Sequence, residues 1–199
     1  MGTSTFIDIF GSMIIGGILL LTLYRLNDST VENMFSNSGE LIVQQNIVET
    51  VLLLEHDFRK IGFCNDWQKI PVPTNSILVA DSNGIKFLTD VNSDGNVDSL
   101  HYYLGDTSEL NQTQNPRDRL LYRVENNATP DGSNLGITQF EITYFNSLGD
   151  TLSFPIQQTG EIYTIQIDIT AENTSAYNDV YTAVFWRQLR LTARNLRNR

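Results

Sequence analysis

Cysteine is almost absent from this 199-residue chain. Cys64 is the only one, so no disulfide can form within it, and packing, hydrogen bonds or a metal must hold the fold. Histidine is nearly as scarce, with His56 and His101 alone, and neither lies in a motif that pairs it with a nucleophile. HExxH, CxxC and glycine-rich phosphate loops are all missing, so we expect no enzymatic activity. Basic charge is short as well. Thirteen Lys and Arg face 23 Asp and Glu, a net charge of -10, which argues against a protein that grips phosphate backbones by displacing counterions. The one basic patch is Arg187, Arg190, Arg194, Arg197 and Arg199, with no acidic residue among them. The length suits one ordinary domain plus an accessory segment.

Against these absences stands one long apolar run. Ile9 to Tyr24 (IFGSMIIGGILLLTLY) carries no charge, and as a helix it is roughly 24 Å long at about 1.5 Å per residue, nearly the thickness of a bilayer core. Extending it back to Phe6 adds a turn and takes in Asp8, costly at depth unless it meets an interface or a partner. A cleaved signal peptide fits poorly. The basic n-region is missing, and Tyr24-Arg25-Leu26-Asn27 offers no small-x-small site. The expectation is a retained anchor over residues 1–30, in which Gly11-Ser12 and Gly16-Gly17 permit close helix contact.

After Asn27-Asp28-Ser29-Thr30 and a soft patch over residues 33–39, helical periodicity returns. Val43, Ile47, Val51, Leu54, Phe58 and Ile61 form one apolar stripe, with Gln45, Glu49, His56 and Lys60 on the other side. This predicts an amphipathic helix within residues 31–64, nearly continuous with the anchor and stopped at Gly62. Residues 65–199 are expected to form an antiparallel β domain, with the period falling to two from about Ile77. Strands are expected at 77–80, 85–90, 99–104, 120–124, 137–145, 152–155, 162–170 and 180–191. Asn83-Gly84 and Gly149-Asp150 mark turns, since both pairs tolerate positive φ. The fold class read from this pattern is α+β: a long N-terminal helix packed on a C-terminal antiparallel sheet.

One polar loop suggests a cation. Asp90, Asn92, Asp94, Asn96 and Asp98 place oxygens at alternate positions around Gly95, a spacing that lets a tight loop turn several oxygens toward calcium. His101 stands where a bidentate Glu would complete an EF-hand-like set. A structural Ca2+ ion is therefore expected, against the alternative of an ion-free polar hairpin turn. Asn27, Asn111, Asn127 and Asn173 each open an N-x-Ser/Thr triplet, as chance also provides in an Asn-rich chain.

The layout, a hydrophobic helix running into an amphipathic one and then an antiparallel sheet, resembles the type IV pilin-like superfamily. The words 55–63 (EHDFRKIGF) are similar to the helix ending of minor pseudopilins of the J and W types. Residues 87–98 with 100–104 resemble their hairpin, Leu120-Leu121-Tyr122-Arg123 and 137–145 their next strands, and Leu189 to Leu196 their closing strand. The resemblance implies a structural subunit of a pilus-like or type II secretion-like filament. Such a subunit is anchored in the inner membrane with its body outside the cytoplasm, and is partnered by its own copies or other pilin-like chains. The family's basic leader and Phe-Thr-Leu-Ile-Glu start are not matched here. Asp8 would stand in for the fifth-position carboxylate if processing left Ser4 first, and an unprocessed N-terminus is the other expectation. A signal-anchored surface β domain that binds ligand through its loops is the competing reading.

Overall fold

The computed structural model describes residues 2–130, 132–173, 183–192 and 194–196. It divides into two compact units, residues 1–39 and 40–199. One helix, α1 (Gly2–Arg59), supplies the first unit and begins the second. The polar stretches expected to soften it at residues 27–30 and 33–39 are helical throughout. Thr30 shows how: its hydroxyl donates to the Leu26 carbonyl at 2.7 Å, which satisfies the side chain without breaking the helix.

In the second unit, α1 is followed by seven strands in sequence order, each antiparallel to its neighbours. They are β1 (Ile77–Ala80), β2 (Gly84–Thr89), β3 (Asp98–Leu104), β4 (Arg119–Glu125), β5 (Gly132–Phe145), β6 (Thr164–Glu172) and β7 (Ala183–Thr192). The class is thus α+β, one long helix followed by an antiparallel sheet. The apolar stripe of the helix is all buried, from Val43 through Ile47, Val51, Leu54 and Phe58 to Ile61 just beyond its end. It shares one core with Ile85, Phe87, Leu100, Tyr102, Phe140, Ile142, Tyr144, Ile165, Ile167 and Ile169 from the strands.

Gly62 ends the helical run with φ +72, and a Cβ there would press on Ser76 Oγ at 3.2 Å and Leu196 Cδ2 at 3.3 Å. Its amide donates to Leu88 O at 2.9 Å, which turns the chain from helix to sheet. Gly84 also serves its turn, but for a different reason from the one expected. Its φ is not positive; instead a Cβ would stand 2.9 Å from the Tyr102 carbonyl on the paired strand.

Most expected strands are present with shifted ends. β5 starts at Gly132, five residues ahead of Ile137, and β6 starts at Thr164, because Ile162 caps a short 3-10 turn over Thr159–Glu161. The strand expected at 152–155 is not formed. Thr151 makes an isolated bridge to Phe145, and Leu152 N donates to Tyr144 O at 2.8 Å. The pairing goes no further, and Pro155 has no N–H to extend it. Residues 180–182 of the last expected strand lie outside the described residues.

Candidate functional site

Three places have chemistry to offer. The first is the N-terminal part of α1, the described helix long and apolar enough to cross a membrane by length and composition. Its apolar side chains, among them Phe6, Phe10, Ile15, Leu19 and Leu23, are exposed. Its hydroxyls are satisfied within the helix: Ser12 Oγ donates to Ile9 O at 2.9 Å and Thr22 Oγ1 to Ile18 O at 2.6 Å. Such internal bonding is what an apolar solvent demands of a polar group. A Cβ added at Gly11, Gly16 or Gly17 would have no atom within 4 Å.

The second place is the loop 90–98. The structure does bring Asp90, Asn92, Asp94, Asn96 and Asp98 into one turn between β2 and β3, yet their oxygens are taken up by N–H groups. Asp90, fully buried, accepts Asp94 N at 3.0 Å on Oδ1, and Gly95 N at 2.9 Å and Asn65 N at 3.0 Å on Oδ2. Asn92 Oδ1 accepts Asp94 N at 3.0 Å, and Asp94 Oδ1 accepts Asn96 N at 2.7 Å. Asp98 Oδ2 accepts Val91 N at 3.0 Å and its Oδ1 accepts Asn126 Nδ2 at 2.7 Å. Asn96 Oδ1 accepts the Lys69 ammonium at 2.8 Å. Burial pushes the Asp90 carboxyl up, but the amides of Asn65, Gly95, Asp94 and Ser93 outweigh it and hold the group below the usual carboxylate range. Among the described residues no three His, Cys, Asp or Glu side chains are grouped so as to hold a metal.

The loop thus closes on its own amides and ties the segment after the helix to the β2–β3 hairpin. A calcium ion here would compete with those N–H groups for the same oxygens. Asp90→Ala is expected to destabilise the fold by about 2 kcal/mol, since it strands buried amides. Denaturant titration checks this. A calcium-dependent melting temperature that Asp94→Asn removes would assign an ion to the loop.

The third place was not anticipated from the sequence. Asp57, on the last turn of α1, is buried under the sheet. Its Oδ2 accepts the Tyr102 hydroxyl at 2.5 Å and Arg123 Nε at 2.7 Å, while its Oδ1 lies 3.1 Å from His56 Nδ1. Arg123 Nε also donates to the Tyr102 hydroxyl at 3.0 Å. Helix, β3 and β4 are therefore joined through one carboxylate. Burial raises its pKa; the bonds from Arg123, Tyr102 and His56 more than offset that and leave it lowered. The legible signal was spacing: Asp57 follows Leu54 by three and precedes Ile61 by four, which puts a charge on the apolar face. His56 is thus engaged with a structural carboxylate, and His101 sits in β3 opposite Lys86 and Val124. Burial, then the Lys86 charge, pushes the His101 pKa down.

No family model matches the chain, and no curated protein matches it.

Proposed function

We propose that this chain is a structural subunit of a type IV pilus-like or type II secretion-like filament, held in the inner membrane by α1 until it assembles. The observation that carries the reading is the long apolar start of α1, exposed along its length and leading into a helix that carries the core stripe of the second unit. A helix of this kind rests in lipid and then exchanges lipid for neighbouring helices of comparable apolarity. Gly11, Gly16 and Gly17 leave a low surface for that approach. Within the second unit, Leu41, Ile42, Leu52 and Leu53 of α1 are exposed too, apolar surface that association would cover. The body lies outside the cytoplasm, its partners are other copies or other pilin-like subunits, and it neither catalyses a reaction nor binds nucleic acid.

Electron micrographs of the native material are expected to show helical filaments, with mass spectrometry placing this chain and its N-terminus within them. A monodisperse monomer with affinity for a ligand would instead favour the surface-displayed binding module. Removal of residues 1–30 is expected to shift the protein from the membrane to the soluble fraction with its near-UV circular dichroism intact, because the second unit has its own core. Aggregation with loss of that signal would sink the separation of anchor from body.

A further inference from the structure

Asp118 stands immediately before β4, buried to 1 % exposure, and neither of its carboxylate oxygens has a hydrogen-bond partner. Buried carboxylates are normally neutralised or multiply hydrogen-bonded, so this one needs an explanation. The neighbouring hydroxyl is that of Thr113, which has one proton and lies 3.0 Å from Leu110 O and 3.1 Å from Asn115 O. The neighbouring cation, Arg117, is bonded to Glu172 through Nε at 3.0 Å and Nη2 at 2.7 Å. Both of those bonds, and that from Asn115 Nδ2 at 2.9 Å, end on the same Glu172 oxygen, Oε2. With Arg117 matched by Glu172, the cluster keeps one uncompensated negative charge, on Asp118.

We infer that the loop 110–118 and the end of β6 form a site for a hard divalent cation, Ca2+ by its oxygen preference, with Asp118 as the charged ligand. Thr113 Oγ1 supplies a neutral oxygen of the kind calcium accepts, and the carbonyls of Leu110 and Asn115 do so through the lone pair that each keeps after accepting Thr113 N at 3.0 Å and Asp118 N at 3.3 Å; Glu172 Oε1 is the nearby second carboxylate oxygen. The site is separate from the 90–98 loop, whose carboxylates are already committed to amides.

The test melts the full chain in detergent micelles, stripped with chelator and then titrated with CaCl2 at pH 7. The melting temperature is expected to rise by a constant increment per tenfold increase in calcium beyond saturation. The rise should vanish in Asp118→Asn, shrink in Thr113→Val and persist in Asp94→Asn. Asp118→Asn removes a buried charge without a partner, so it should fold and, in chelator, melt above the parent at pH 7. A melting temperature that does not respond to calcium would overturn the proposal. A calcium response that survives Asp118→Asn would overturn it equally.

Discussion

Replacing Arg123 by alanine is expected to destabilise the second unit by about 3 to 5 kcal/mol, the usual consequence of leaving one partner of a buried ion pair alone. The Asp57 side chain is 3 % exposed and that of Arg123 28 %, so water does little to screen their 2.7 Å contact. Once the guanidinium is gone, the carboxylate keeps the Tyr102 hydroxyl and His56 but loses the largest of the interactions that offset its burial. The pH dependence should change with it. In the parent, the folded pKa of Asp57 lies below its ordinary 3.8, so the pair stabilises fully above that value and the contribution is lost as pH falls through the folded pKa. In Arg123→Ala, burial is left with less to oppose it, and acidification toward about pH 4 should recover stability. Urea titrations of parent, Arg123→Ala, Asp57→Asn and the double variant would measure the coupling. A loss under about 1 kcal/mol, with an unchanged pH profile, would mean the cluster is incidental.

Phe58→Ala should cost a similar amount, about 3 to 5 kcal/mol, for an apolar reason. Phe58 has no exposed surface, and its ring meets Phe87 edge-on at 5.4 Å between centroids and Tyr102 at 5.7 Å. Truncation leaves a cavity between helix and strands that the rings cannot collapse into without leaving their own contacts. Because Phe58 and Asp57 both touch Tyr102, the two substitutions should not add. Equilibrium unfolding that shows a loss below about 1 kcal/mol would place the helix stripe somewhere other than the core.

Much of this fold was legible because the signals were local. An apolar run, a stripe at helical spacing and strands with period-two patterning depend on residues close in sequence, and they placed α1, its buried face and most of the sheet. The strand expected at 152–155 is not formed because Leu152-Ser153-Phe154-Pro155 is short and ends on a residue with no N–H. Gly84 was correctly marked as a turn residue for the wrong cause, because the steric approach is to the carbonyl of Tyr102, on another strand and distant in sequence.

The site residues divide in the same way. Spacing alone gathered Asp90, Asn92, Asp94, Asn96 and Asp98 into one turn, since a tight loop needs no distant partner to form. What their oxygens face was decided by the fold, which brings Asn65, Lys69 and Asn126 to the loop from two other segments. Asp57, Tyr102 and Arg123 are separated by tens of residues and meet through antiparallel register, as do Thr113, Asp118 and Glu172 through the approach of a loop to the end of β6. Local sequence determined which segments are apolar, helical or extended, because those preferences are properties of neighbours along the chain. Tertiary structure alone decided which charges are buried and which find a partner, because desolvation and pairing depend on whatever the fold brings within a few ångströms.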